Sequence, residues 1–227
     1  MPCHHAPPER EVAKAEQLLL VEEITHRVLN EYAVAIAWIN LEAMGTTDPD
    51  SRAALGRTES RLRALVNAHR ALQAPANAGD VDLGGYLERL CAALAAACLR
   101  QTRIELCLHE RSILLTTDRC WRVGLIVAEL ITNSTRHAPN GGAGVIAVDV
   151  GLAGDHVRCQ VADCGGGCAD PGPSRGRHVV ERLAQDLGGA ASWRFGSQGV
   201  TAVLAFPHAP WPRRPPSPGV LKVDAEC

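Results

Sequence analysis

Residues 118–138 read DRCWRVGLIVAELITNSTRHA, and after a short gap residues 145–163 read VIAVDVGLAGDHVRCQVAD. The first stretch predicts a long, mostly buried helix. The second predicts two alternating strands turned back on each other around Ala153, Gly154 and Asp155. Upstream, VDLGGYLERLCAALAAACLR reads as a helix, and RIELCLHE followed by SILLTT as a pair of strands. Downstream, RHVVERLAQDLGG reads as a helix closed by a glycine cap, and ASWRFGSQGVTAVLAFP as a final strand pair. Strands interleaved with helices in this order predict an α+β fold, a sandwich of sheet and helices over residues 77–207.

The chain ahead of this region has a different texture. From about residue 11 to 44 no Gly or Pro interrupts, and Leu18, Val21, Thr25, Val28, Tyr32, Ala35 and Ile39 alternate at three and four residues. GTTDPDS then breaks the pattern, with Ser51 as the expected cap of the next helix. Leu55, Thr58, Leu62, Leu65, His69 and Leu72 repeat the spacing, which makes His69 a packing histidine. Two helices with a short connection predict an antiparallel hairpin over residues 11–76, and APANAGD follows as a linker. One hairpin has too little apolar surface to cover itself. Two would form a four-helix bundle, so a homodimer through these seams is expected. Residues 1–10 are expected to be a disordered N-terminus, and the proline-rich residues 208–227 a disordered tail.

Composition narrows the function classes. The net charge is −2, with basic residues scattered, so no nucleic-acid partner is expected. No apolar run approaches the roughly 20 residues that span a bilayer, and MPCHHAPPER lacks the apolar core of a signal peptide, so no membrane association and a cytoplasmic location are expected. Nine cysteines without a secretion signal read as reduced thiols. Cys91 and Cys98, a heptad apart, are expected to be small core residues; Cys164 and Cys168 flank the glycine cluster and keep an oxidation-sensing alternative open. Cys3, His4 and His5 read as a frayed terminus rather than a metal site.

Three boxes carry chemistry. His26, in EITHRVLNEY, directly follows seam position Thr25 and so is expected beside the packed stripe, with Glu22 and Asn30 one turn either side. Its imidazole, with an ordinary pKa of about 6.5, can attack phosphorus at neutral pH. Read alone, it is more readily an exposed helical histidine without a role. Glu129 and Asn133 stand one turn apart on the buried helix. An amide oxygen together with triphosphate oxygens suits Mg²⁺, and Arg136 and His137 continue toward the helix end, where they are either phosphate partners or cations favoured by the helix dipole. Asp163 ends a strand before Gly165, Gly166 and Gly167. A carboxylate there can accept from the exocyclic amine of adenine while glycines admit the ligand; a tight turn after a strand looks the same.

In combination these residues resemble the sensor histidine kinases, in particular the branch whose acceptor box reads HRxxN (His26, Arg27, Asn30) ahead of a helix like ALVNAHRAL at 64–72. LIVAELITNSTRHA is similar to the family's asparagine box, VADCGGG and GRHVVERLAQDLGG to its two glycine boxes, and QGVTAVLAFP to its closing strands. The resemblance spans roughly residues 15–207. It implies a dimerising hairpin followed by an ATP-binding domain of the Bergerat type. It further implies ATP and Mg²⁺ as cofactors and a response-regulator receiver domain as partner. By resemblance His26 is the phosphoacceptor, Glu129 a carboxylate near the metal, and Asn133 the Mg²⁺ ligand. Arg136 and His137 fall near the nucleotide, Asp163 reads adenine, Gly165, Gly167 and Gly176 shape the lid, and Thr201 lies near the base. The second glycine box departs from the pattern, with Arg175 and Arg177 flanking Gly176, and the lid CADPGPSR is short with two prolines. Three functions stay open: an autophosphorylating histidine kinase, a histidine phosphotransfer protein of the same architecture with a defunct ATP domain, and a related domain acting on a protein serine, as anti-sigma factors do. The hairpin bearing His26 disfavours the last.

Overall fold

A computed structural model describes residues 9–74, 79–99, 102–137, 144–164, 172, 174–197 and 199–208, with side chains from Arg27 onward except those of residues 136 and 137. The chain begins with helix α1 (Glu9–Gly45) and helix α2 (Pro49–Ala71), packed as a hairpin. The cap of α2 differs from the sequence expectation. Asp48, not Ser51, is the N-cap, and its carboxylate accepts from the Ser51 N–H at 2.9 Å. Pro49 next to it has its ring-fixed φ already suited to the first helical position, which moves the start three residues upstream.

Within the hairpin the described part of the seam packs as the spacing predicts. Val28, Tyr32, Ala35 and Ile39 are half-buried with Ile36 buried, and Leu55, Leu62, Leu65, His69 and Leu72 are half-buried on α2. The rings of Tyr32 and His69 lie 5.8 Å apart. Thr58 is an exception: it is exposed, and its hydroxyl donates back to the Ala54 carbonyl at 3.0 Å. The described parts of both seams are thus half-buried within one chain. A different stripe, Val34, Trp38, Leu41 and Met44, is left exposed on α1.

The second region is a five-stranded sheet with helices on one face. The elements run β1 (Asp80–Asp82), α3 (Leu83–Leu94), a π-helical turn (Ala95–Leu99), β2 (Ile104–His109), β3 (Leu114–Thr116), α4 (Thr117–His137), β4 (Gly144–Ala153), β5 (His156–Asp163), α5 (Arg175–Asp186), β6 (Ala190–Gly196) and β7 (Gly199–Pro207). The strand order is β2-β4-β5-β7-β6, with β2 parallel to β4 and the other pairs antiparallel. β2 and β3 do form, but not with each other: β3 pairs with β1 in a separate two-stranded sheet. The stretch expected as one helix from Val81 starts later, because Asp82 caps α3 by accepting from the Gly85 N–H at 3.1 Å. The same carboxylate accepts from the Ile113 N–H at 3.1 Å, tying α3 to the segment before β3.

Alternation fixes the layers. Ile146, Val148 and Val150 of β4, Val157, Cys159 and Val161 of β5, and Ala202, Leu204 and Phe206 of β7 are buried under the helices, which contribute Leu87 and Leu90 of α3, Ile126 and Ile131 of α4, and Val180 and Ala184 of α5. Burial pushes the thiols of Cys91 and Cys159 up to about 12 and that of Cys120 up to about 11, so these three are inert core residues. The hairpin is joined to this core through Ala68, which belongs to it, and through the Trp121 indole N–H, which donates to the Leu72 carbonyl at 2.9 Å. Among the described residues no helix is long and apolar enough to cross a membrane.

Candidate functional site

Helix α4 sets one wall of the site. Glu129 and Asn133 stand one turn apart, and the Asn133 side-chain N–H donates to the Glu129 carboxylate at 3.1 Å. The amide is thereby oriented with its carbonyl oxygen as the remaining ligand atom, the one a hard cation takes. Helix α5 crosses this pair at Gly176. A Cβ there would collide with Glu129 Oε1 and stand 3.1 Å from Asn133 Nδ2, so the tips of both side chains lie against the bare Cα of α5. Ser174 caps α5, accepting from the Arg177 N–H at 3.2 Å.

Another part of the site is built by β5 and β7. Asp163 is the last residue of β5, and its Oδ1 accepts from the Val200 N–H at 3.1 Å. Gly199 makes this possible. Its φ of 124° is one that residues with side chains rarely adopt, and a Cβ would fall on the Asp163 carbonyl and within 2.7 Å of Oδ1. Asn133 and Asp163 both line a cavity of about 200 Å³. Leu130, Val161, Val180, Val200 and Ala202 give it an apolar floor, while Asn133, Ser134, Asp163 and Arg177 bring polar groups to it, with Trp193 and Phe195 of β6 along one side. The Arg177 guanidinium lies over Trp193, 4.6 Å from the ring centroid, and 6.0 Å from that of Phe195.

Of the residues expected at the site, Asn133 and Asp163 line this cavity, and Glu129 and Gly176 stand against Asn133. Thr201 does not. It pairs with Ala162 between Val200 and Ala202, both of which line the cavity, so the two-residue period turns its side chain to the other face of the sheet. His26 lies on α1, and Arg136 and His137 close α4, but their side chains lie outside the described residues, as do Gly165 and Gly167 altogether. Sequence reasoning missed Gly199, Trp193 and Phe195. The first was readable as the lone glycine entering an alternating strand; the two aromatics, two residues apart on a predicted strand, signalled one face but not which.

A family model described as "Histidine kinase" matches residues 23–98, and one described as "Histidine kinase-like ATPase domain" matches residues 89–192. The chain belongs to the histidine kinases. The first model takes in the hairpin with His26 and the second carries Asn133, Asp163 and Gly176. Among curated histidine kinases, the chain is 26% identical over 195 residues to Blue-light-activated histidine kinase 2 of Erythrobacter litoralis, covering 82% of this chain and 56% of that one. It is 26% identical over 133 residues to the sensor histidine kinase PdtaS of Mycolicibacterium smegmatis, covering 56% of this chain and 26% of that one. The chain thus spans little more than half of the first relative and about a quarter of the second. Among solved structures, the histidine kinase domain of the E. litoralis EL346 blue-light-activated kinase superposes with a TM-score of 0.55 at 21% identity, covering 78% of this chain and 95% of that one. A bacterial phosphotransferase superposes with a TM-score of 0.57 at 14% identity, covering 90% and 98%. These superpositions establish the fold: a histidine kinase hairpin joined to its ATPase-type domain.

Proposed function

We propose that this histidine kinase chain binds ATP in the cavity between α4, α5 and the β5–β7 strands and autophosphorylates His26. The phosphoryl group then passes to an aspartate of a response-regulator receiver domain in the cytosol. The observation that carries the reading is the cavity itself, whose lining takes in both Asp163 and Asn133, the latter bonded to Glu129. Asp163 accepts from the adenine amine, its carboxylate fixed by the Val200 N–H. The Asn133 amide oxygen would hold Mg²⁺, and Glu129 positions that amide. The donor set fits the ion, since a single amide oxygen leaves room for the waters and phosphate oxygens that Mg²⁺ retains. When bound, the ion neutralises charge on the triphosphate. Arg136 and His137 lie at the C-terminal end of α4, one turn beyond Asn133, where the phosphates extend.

In the transfer, a ring nitrogen of neutral His26 attacks the γ-phosphorus as the bond to the β–γ bridging oxygen breaks. A phosphoramidate forms and ADP leaves. Homodimerisation would cover the Val34–Met44 stripe of α1 with the same stripe of a second copy.

Incubation of the purified chain with γ-labelled ATP and Mg²⁺ tests the reading. Label that is acid-labile, base-stable and lost in His26→Gln is expected. Label persisting in His26→Gln would sink the acceptor assignment. A second reading, a histidine phosphotransfer protein, draws support from the cavity volume of about 200 Å³, which falls below the roughly 300 Å³ at which small-molecule pockets usually begin. That volume takes a base but not a whole nucleotide, whose phosphates must extend past Asn133. Absence of ATP binding at millimolar nucleotide, with His26 still accepting phosphate from a phosphorylated receiver domain, would replace the first reading by the second.

A further inference from the structure

Ala53, Arg57, Arg61, Ala64 and Ala68 follow one another along α2 at steps of four and three residues and so share one face. At its far end this face is closed: Ala64 and Ala68 are buried, and Ala68 belongs to the core of the sheet domain. Nearer the start of α2 it opens into a cleft of about 580 Å³ between the helix and the π-helical turn Ala95–Leu99. Gly56, Arg57, Ser60 and Arg61 line it from α2, and Ala96, Ala97 and Cys98 from the turn.

Three features of the cleft lack a purpose within the fold. Arg57 and Arg61 are exposed one turn apart, and among the described residues no hydrogen bond or ion pair engages either guanidinium, whereas Arg63 is paired with Glu59. Like charges at this spacing disfavour a helix, and no acidic side chain among the lining residues offsets them. Glycine is disfavoured inside a helix too, yet at Gly56 a Cβ would meet nothing within 4 Å. Packing among the described residues gives no reason for that bare backbone; a ligand resting against it does. The opposite wall is a π-helical turn, a widened backbone frequent at functional sites. Burial pushes the Cys98 thiol up, so it stays neutral and brings no negative charge to the cleft.

We propose that this cleft binds a phosphorylated small molecule of up to nucleotide size, held by Arg57 and Arg61. Two guanidiniums one turn apart suit a phosphate better than a carboxylate, whose two oxygens are satisfied by one bidentate arginine. The Ser60 hydroxyl adds a donor. The volume exceeds that of a bare phosphate and lies in the range of small-molecule pockets, and Ala53, Ala96 and Ala97 offer an apolar wall to the organic part. One wall belongs to the hairpin that carries His26 and the other to the sheet domain, so an occupant ties the two regions together. Its binding is independent of whether the Asn133 cavity holds ATP.

Calorimetric titration of the full chain with uridine monophosphate, inorganic phosphate, uridine and succinate tests this, uracil being a base without the exocyclic amine assigned to Asp163. Uridine monophosphate is expected to bind more tightly than inorganic phosphate, and uridine and succinate to bind far more weakly than either. Arg57→Gln and Arg61→Gln should each weaken uridine monophosphate by about tenfold, the scale of one charge-assisted contact, with unchanged melting temperature because both side chains are exposed. Gly56→Leu fills the cleft and should abolish binding without lowering the melting temperature, since leucine favours the helix. Uridine monophosphate should also slow alkylation of Cys98, read by mass spectrometry of its peptide, and leave that of the exposed Cys164 unchanged. Affinity that survives the double Arg57→Gln, Arg61→Gln substitution overturns the site. Uridine binding as well as its monophosphate marks a base pocket, and succinate matching it marks a carboxylate partner; either overturns the assignment to phosphate. So does the absence of binding by both uridine monophosphate and inorganic phosphate at millimolar concentration.

Discussion

In the sheet domain Leu83, Leu87, Leu90, Ile126, Val148, Val157 and Phe206 are fully sealed from solvent, whereas in α1 Ile36 alone is buried among the described side chains, and Trp38 is 69% exposed. The two regions meet opposite problems. Three helices cover one face of the sheet and leave its core closed within the chain. The hairpin has two helices for apolar residues that fall on two faces of α1, so the seam with α2 uses one face and leaves the other to solvent. A region with a closed core can hold a ligand site in place, as α4 and α5 do for Asn133. A region with an open face is built to meet something else.

Truncation should expose this difference most sharply. Phe206→Ala removes a fully buried ring and is expected to cost about 3–5 kcal/mol, while Ile36→Ala in the hairpin should stay near the low end for its class, about 2 kcal/mol. Urea unfolding followed by circular dichroism measures both. Equal costs would mean that the hairpin has a core as closed as the sheet's.

Gly176→Ala comes next. Its Cβ must displace Glu129 Oε1 and crowd the Asn133 amide, so a stability loss of about 1–3 kcal/mol is expected. Mg-ATP affinity should fall further than adenosine affinity, since the displaced groups are at the metal end. A thermal melt and a pair of titrations check the two parts. An alanine variant that matches the unsubstituted chain in both would show that the helices can separate without harm to the site.

How far the sequence disclosed this arrangement follows from the range of each interaction. The α4 helix, the β4–β5 hairpin around Gly154 and the glycine-capped α5 are written in neighbouring residues, and the structure has them where the patterns put them. The parallel pairing of β2 with β4, and the antiparallel pairing of β1 with β3 across the whole of α3, depend on partners tens of residues away that no local period encodes. The cap of α2 was ambiguous because Asp48, Asp50 and Ser51 all suit the position, and Pro49 decides it. At the site, Glu129 and Asn133 were readable as one turn of a helix. Thr201 was misplaced, although alternation through Val200 and Ala202 was in view, because its position was taken from the family pattern. Arg177 was noted as a departure from the second glycine box, but its aromatic platform on β6 was not, since only the fold brings them together.

A smaller effect is expected at Asp82, which joins α3 to the segment before β3. Desolvation raises its pKa, but hydrogen bonds from the Gly85 N–H, the Ser112 hydroxyl and the Ile113 N–H outweigh it and hold the carboxyl below its ordinary value. The folded state therefore favours the charged form. This contribution is present above the unfolded pKa, about 3.9, and is lost as pH falls through the lower folded value. Asp82→Ala should cost about 1 kcal/mol at neutral pH, as loss of a cap does. The gap between variant and unsubstituted chain should narrow as the pH is taken down from about 4. A gap that stays constant down to acid pH would remove the carboxylate's charge from the account.

The least change in stability is expected at Trp38, and it bears most directly on what the open face of the hairpin is for. Val34, Trp38, Leu41 and Met44 recur at four and three residues and so form one stripe along α1, away from the seam with α2. Trp38→Glu places a charge where the ring is already in solvent, so the isolated chain should lose no more than about 0.5 kcal/mol. Self-association should respond very differently. In an isologous dimer each copy's stripe faces the other's, so one substitution introduces two charges into the same apolar seam and repels them from each other. Light scattering is expected to give a dimer for the unsubstituted chain and a monomer of unchanged melting temperature for Trp38→Glu. Val28→Asp, in the seam within the chain, should instead lower the melting temperature, because Val28 is half-buried there without any partner copy. If Trp38→Glu stays dimeric while Val28→Asp dissociates, the copies meet through the seam and the division of α1 into an inner and an outer face is wrong.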